Sequence, residues 1–363
     1  MVKRFYASAA LVCLSVLAWC AGFGVAPSLA AESELTQRYL EPQSKWPTLH
    51  ENAHADVAAL PEPLETNADI VQLGEQLFHD PGLSRDGSVS CASCHKSSAH
   101  FADTVRISPG VEGREGRRTS QMLRLAGHWD ILFWDGRVAN LEALVAHPVQ
   151  DPMEMDSTIA HVESYVTASD RYSEMFQHVF QQPATWNLIA EAIAEFMRAV
   201  EHPPTRFDKF MYAVAEGDKV AAAEQLNAEE RLGLHLFRTK AGCVQCHAGD
   251  LFSDQRMHNI GLAYYGRSFE DLGHYQISGN PAHVGAFRTP SLRYVGEREH
   301  LMHNGLFNDL LGIVRMYSHG GARPKPRGEQ VNDPLFPETS ELLQPFSLTK
   351  EEEQALVKFL NAL

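Results

Sequence analysis

The chain has 363 residues, of which 46 are acidic and 31 basic, for a formal net charge of −15 at pH 7. That balance excludes a nucleic-acid binder and favours a cationic protein partner drawn in by long-range attraction. Beyond the N-terminal segment no apolar run is long enough to span a bilayer, and roughly 330 residues remain, enough for two domains with cores of their own.

The N-terminal segment carries Lys3 and Arg4, an apolar run from Ala9 to Val25, and the small-residue pattern Ser28-Leu29-Ala30. This predicts a secretory signal peptide over residues 1–31 and export to the periplasm. Trp19 is too bulky to precede a lipidated cysteine, which argues against Cys20 as a lipid anchor. Cys13 and Cys20 leave with the leader, so the four remaining cysteines are all that the exported chain holds. Lys3 and Arg4 leave too, and the net charge falls from −15 to −17.

Residues 32–66 are rich in Pro, Glu and Ala without clear periodicity and predict an extended arm. Helical spacing begins at Ile70, Leu73, Leu77 and Phe78, with Asn67 as N-cap, and Asp80-Pro81-Gly82 ends it. A short loop then delivers Cys91-Ala92-Ser93-Cys94-His95, the c-type haem attachment signature. Its two thiols add across the porphyrin vinyl groups, and the adjacent histidine ligates iron. The competing uses of such a pair are a redox dithiol, half of a zinc site, or a disulfide. Phe101-Ala102-Asp103 and a Gly- and Arg-rich loop, Pro109 to Arg118, come next. Phe133-Trp134-Asp135-Gly136-Arg137 leads into a helix through Leu141 and Val145, which Pro148 stops, and Pro152-Met153-Glu154-Met155 turns back. Further helices are predicted over 160–180 and 187–201, closed by His202-Pro203-Pro204. Gly217-Asp218 marks the boundary between a first domain, 67–217, and a second, 218–363.

The second half repeats the first. Leu232-Gly233 and Leu236-Phe237 mirror Leu73-Gly74 and Leu77-Phe78, behind an Asn227/Glu230 capping box. The haem motif recurs as Cys243-Val244-Gln245-Cys246-His247. Phe252-Ser253-Asp254, Arg288-Thr289, Leu292-Arg293 and Asn304-Gly305 mirror Phe101-Ala102-Asp103, Arg118-Thr119, Leu123-Arg124 and Asp135-Gly136. A final helix starts at a Thr349/Glu352 capping box. The fold class is therefore mainly α: two tandem c-type cytochrome-like haem domains related by internal duplication. The alignment also sets Pro148 opposite Tyr317. Proline cannot bind iron and a phenolate can, which predicts one haem with an open position and one closed by the chain. Met316 is the alternative closing ligand, since neighbours on a helix point about 100° apart.

On these motifs, together with Trp134-Asp135-Gly136-Arg137, Pro152-x-Glu154-Met155 and Arg288-Thr289-Pro290-Ser291-Leu292-Arg293, the chain resembles the bacterial di-haem cytochrome c peroxidase and MauG family. The resemblance covers nearly all of the exported chain. It implies two covalently bound haem c groups, an N-terminal peroxidatic one ligated by His95 and a C-terminal electron-relaying one ligated by His247. It casts Glu154 as the acid–base residue over the open haem and Trp134 as the aromatic stepping-stone between the two. The duller readings are a solvated loop charge for Glu154 and a packed core aromatic for Trp134. Arg118, Arg288 and Arg293 are candidate partners of the haem propionates, with a surface role as the alternative.

The chain departs from the family in several places. Val111 stands where resting peroxidases carry a distal histidine, Leu144 replaces a pocket glutamine, and Ala241 stands where MauG has a surface tryptophan. The family's interdomain calcium segments read Arg118-Thr119 and Arg298-Glu299-His300, which argues against calcium and offers the Arg298 guanidinium in its place. Tyr317 follows MauG; peroxidases fed by small cytochromes have methionine there. The leading reading is a periplasmic peroxidase acting on hydrogen peroxide, fed by a small redox protein such as a cytochrome c or a cupredoxin. The second is a MauG-like oxidase that uses high-valent iron to oxidise Tyr or Trp side chains of a partner protein. The third is a non-enzymatic di-haem electron carrier. Oligomeric state is open, with a homodimer as one outcome.

Overall fold

The computed structural model describes residues 29–363, so nearly all of the expected leader, residues 1–31, lies outside the described residues. In chain order the principal helices are α1 (Leu29–Arg38), α2 (Ala68–His79), α3 (Leu141–Gln150), α4 (Ile159–Thr167), α5 (Asp170–Phe180) and α6 (Trp186–Ala199). They continue with α7 (Arg206–Glu216), α8 (Lys219–Gln225), α9 (Ala228–Arg238), α10 (Leu310–Ser318) and α11 (Lys350–Leu360). A two-stranded antiparallel ribbon, β1 (Met257–His258) and β2 (Phe287–Arg288), pairs Met257 with Arg288. The protein is mainly helical.

Caps set several of these boundaries. Asn67 accepts from the amides of Asp69 and Ile70, and reciprocal capping boxes start α9 at Asn227/Glu230 and α11 at Thr349/Glu352. Two expectations are corrected. Pro148 does not end its helix: it stands in the last turn of α3, where its missing N–H costs only the bond to the Leu144 carbonyl. Asp151 N still closes on His147 O at 2.9 Å, and the helix reaches Gln150. The 160–180 stretch is two helices, broken at Ala168-Ser169, where Ser169 caps α5 through the Tyr172 amide.

Two helix pairs carry the cores. α2 packs on α6, and α9 on α11. At the crossings a Cβ on Gly74 would lie 1.9 Å from Ala192 O, and one on Gly233 would lie 2.1 Å from Ala355 O. Only hydrogen fits there, so the helix axes approach closely. Gly74→Ala and Gly233→Ala are each expected to destabilise the protein by about 1–3 kcal/mol or more through overpacking, read as a lower urea midpoint. An unchanged midpoint would contradict this close packing.

One core, with Leu73, Leu77, Phe78, Val145, Ile193 and Phe196, runs to Val200. The other gathers Phe207 and Phe210 of α7 with Phe237, Phe252 and Phe359, and it also takes Tyr39, Trp46 and Val57. The division between cores thus falls at His202-Pro203-Pro204 rather than at Gly217, because α7 turns its apolar face to the second core. The expected extended arm is likewise corrected: α1 is helical to Arg38, and residues 39–57 are built into the second unit. Arg238, at the end of α9, clamps that segment. Its Nε and Nη2 meet the Asp56 carboxylate at 2.7 and 2.6 Å, and Nη1 donates to Tyr39 Oη at 2.8 Å.

Candidate functional site

Both Cys-x-x-Cys-His motifs form a single helical turn. His95 N donates to Cys91 O at 3.0 Å and His247 N to Cys243 O at 2.9 Å. Each histidine then donates Nδ1–H to a carbonyl at 2.9 Å, that of Phe101 for His95 and that of Phe252 for His247. Since a carbonyl can only accept, the lone pair of each ring lies on Nε2, as an iron-ligating imidazole needs. Phe101 and Phe252 take left-handed backbone angles, φ 56° and 50°, which turn those carbonyls inward. Burial lowers both imidazole pKa values, so the rings are neutral.

The rival uses of the cysteines fail on this geometry. Burial pushes Cys91 and Cys243 up to about 12 and Cys94 up to about 11, the opposite of a reactive redox dithiol. None of the four is paired in a disulfide. Among the described residues the one cluster with metal-ligand spacing is Cys246, Asp254 and His258, so the four sulfurs do not share a zinc site. The residues present fit covalent haem: paired thiols, a histidine with an available Nε2, and an unmatched cation nearby. That cation is Arg288. Its side chain is buried, Nε donates to Phe133 O at 3.2 Å, its guanidinium carbon lies 3.6 Å from the Trp129 ring centroid, and Nη1 has no partner among the described residues. Burial without a counter-charge lowers it to about 9, as expected of a guanidinium awaiting a carboxylate such as a propionate.

The other two arginines differ. Arg118 holds Asp271 through Nε and Nη2 at 2.7 and 2.8 Å, and Asp135 through Nη1 at 2.5 Å, tying the two units together. Arg293 is fully buried, with Nη1 on Asp208 at 2.7 Å and Nη2 on Ala58 O at 2.9 Å. Its surroundings are protein acceptors inside the second core. Arg298 was not among those three, yet its Nη2 donates to Ser120 O at 3.1 Å, and burial lowers its pKa.

The charge of Glu154 acts on both Cys91 and Cys94 of the first motif. Its backbone is held from both sides, with its N on Asp151 O at 3.0 Å and its O accepting from Val111 N at 2.8 Å. Burial, with the charge of Asp151 adding and that of Arg137 opposing, raises its carboxyl to about 7. Val111 itself is buried in the first core. On the other side, Tyr317 lies close enough to the second motif for Cys246 and Cys243 to act on it, and burial drives its phenol well above the usual range.

Trp134 sits where the units meet. Its Nε1 donates to Thr119 O at 3.1 Å, its carbonyl accepts from Arg288 N at 2.8 Å, and its ring meets that of His303 edge-on at 6.4 Å. The sequence held no signal for this His303 contact, nor for the stacking of His303 on Phe287 at 3.8 Å. Both partners lie more than a hundred residues from Trp134 or belong to a two-residue strand.

The family model described as di-haem cytochrome c peroxidase matches residues 68–216. The chain is 33% identical to the cytochrome-c peroxidase IdrP1 of Pseudomonas sp. (strain SCT), covering 86% of each chain. It is 34% identical to the methylamine utilization protein MauG of Methylorubrum extorquens, over 81% of this chain and 77% of that one. Among solved structures it resembles a MauG-like protein associated with microbial copper homeostasis, at 28% identity and a TM-score of 0.71, over 85% of this chain and 92% of that one.

Proposed function

The chain belongs to the di-haem cytochrome c peroxidase and MauG family of oxidoreductases, and from that premise we propose that it is a periplasmic peroxidase. It reduces hydrogen peroxide to water with electrons from a one-electron donor such as a small cytochrome c. The family implies two haems, and when bound they supply the site of peroxide uptake and the path for electrons. No helix among the described residues is long and apolar enough to cross a membrane.

The observation that carries this reading is Glu154. Its carboxyl is secluded on a backbone held from both sides, its charge acts on Cys91 and Cys94, and burial raises it to about 7. Peroxide cleavage needs a proton taken from one oxygen and given to the other, so that water is the leaving group. A carboxylate near pKa 7 does both at neutral pH. Leu144 packs partly buried against the first core and helps exclude water from that side. Trp134, fixed between the units by Thr119 and Arg288, relays electrons from the second centre to the first. Arg298 stands in for the calcium ion, placing a guanidinium on Ser120 O. The experiment is steady-state peroxide consumption with reduced cytochrome c; no turnover above the donor-free rate would overturn the reading.

A second reading, a MauG-like oxidase of a partner protein, is favoured by Tyr317. An anionic phenolate stabilises oxidised iron where methionine would favour electron uptake. If Tyr317 closes the second centre, low-temperature EPR should give one high-spin and one low-spin signal. The low-spin signal is expected to change on Tyr317→Phe and to survive Met316→Leu; the reverse pattern assigns the position to Met316. The matching features of the two units support their origin by duplication. Left-handed residues recur at equal spacing, Leu125, Phe133 and Gly136 against Tyr294, Met302 and Gly305. Isolated bridges do likewise, Leu132 to Val138 against Leu301 to Phe307.

A further inference from the structure

A cavity of about 110 Å³ opens between the two units, lined by Arg106 and Arg117 from the first and by Phe269, Asp271, His303 and Asn304 from the second. A single water needs only roughly 10–15 Å³ on that measure, so the space suits a small organic molecule. Its lining is rich in donors that nothing among the described residues satisfies. Asn304 is 2% exposed; its Oδ1 accepts from Leu306 N at 3.2 Å, which leaves Nδ2 as the unpartnered atom. His303 is 3% exposed, and its Nε2 is unpartnered as well. Burial lowers this imidazole to about 4, so it is neutral and can offer Nε2–H.

The acceptors are already spent. Both Asp271 oxygens are held by Arg118, and Oδ1 also accepts from Gly273 N at 3.0 Å. The cations are not spent. Arg106 reaches only the Asn304 carbonyl, at 3.2 Å, and the Phe269 ring, at 5.9 Å. Arg117 is exposed and has no hydrogen bond or ion pair among the described residues. In a chain with 46 acidic and 31 basic residues, two guanidinium groups without carboxylate partners around one cavity call for an anion. Phe269, 53% exposed, supplies an apolar wall beside them.

We propose that this inter-unit cavity binds a carboxylate, its oxygens held by Arg106, Arg117, Asn304 Nδ2 and His303 Nε2, with its apolar body against Phe269. The carboxylate comes from one of two sources, a free small organic acid or a propionate of a resident haem. A guanidinium fork on a carboxylate gives bidentate, charge-assisted hydrogen bonds, and the buried amide adds a directional third donor. The occupant sits one ring, that of His303, from Trp134.

Titration calorimetry of the holoprotein with benzoate tests this without any turnover, so the result is independent of whether the protein is a peroxidase. For a free acid, saturable binding is expected, weakened about tenfold by Arg117→Gln, the worth of one charge-assisted contact, and lost in Arg106→Gln/Arg117→Gln. Arg117 is exposed, so the single variant folds. If a propionate already fills the cavity, benzoate gives no heat, and the double variant instead shifts the absorption and midpoint potential of one haem. The proposal is overturned if benzoate gives no heat and both haems are unchanged in the double variant. It is equally overturned if benzoate binds with the same affinity to all three proteins.

Discussion

Replacing Glu154 by Gln is expected to lower kcat/KM for hydrogen peroxide by about 10²–10⁴-fold, the usual worth of a positioned general acid–base group. Gln keeps the shape and hydrogen-bonding capacity of the side chain and removes only its ability to move a proton. In the wild type the carboxylate form takes the first proton, so the rate should rise with pH and level off above an inflection near 7. That acid limb should vanish in Glu154→Gln. The sign for stability is opposite. Burial raises the folded-state pKa above the ordinary 4.5, so the folded chain holds this proton more tightly than the unfolded one. The resulting stabilisation is full below pH 4.5 and lost as pH rises through 7. Glu154→Gln should therefore be nearly inactive yet at least as stable as wild type above neutral pH, checked by peroxide kinetics and urea unfolding on the same preparation. A variant that keeps full activity would return Glu154 to a loop charge.

Arg293→Met carries the second large effect, and it falls on stability. Arg293 and Asp208 form an ion pair at 2.7 Å with both side chains at 0% exposure. Asp208 also accepts from Leu60 N at 3.0 Å and from Thr205 N and Oγ1 at 2.8 and 2.7 Å, so its charge anchors the start of α7 and the chain before α2. Removing the guanidinium leaves a carboxylate buried without its counter-ion, which costs roughly 3–5 kcal/mol. The expected result is a much lower urea midpoint with unchanged haem absorption before the transition. Small loss of stability with an altered haem spectrum would instead restore Arg293 to a haem contact.

These two residues show what a sequence can disclose. Glu154 stands out in the sequence because it lies in a short motif with a turn-forming proline, and its charge acts on both cysteines of the first pair. The caps at Asn67, Asn227 and Thr349 are legible because a cap is settled within four residues. Arg293 sits in an equally clear motif, yet its partners lie at positions 58, 208 and 250, and no local pattern announces a contact across that span. Residues 39–57 read as an arm for the same reason: Tyr39 and Asp56 are polar-looking positions until Arg238 is folded against them. Pro148 misleads as a stop signal, because its penalty depends on where in the helix it falls. Pro148 and Tyr317 nonetheless occupy the last turns of α3 and α10 alike.

The division of the cores has a topological outcome. Residues 39–57 and 207–363 enclose one nucleus, while the other is completed by residues 73–200 in between. The half that carries Cys91-Ala92-Ser93-Cys94-His95 is thus an insert, spliced into the half that carries the second motif through two stalks that run side by side, where Ala58 and Leu60 meet Arg293 and Asp208. In a polypeptide threaded outward from its N-terminus, the insert can close as soon as Val200 emerges. The host half must hold its leading strap in waiting until α11 arrives, so the order of assembly is written into the connectivity.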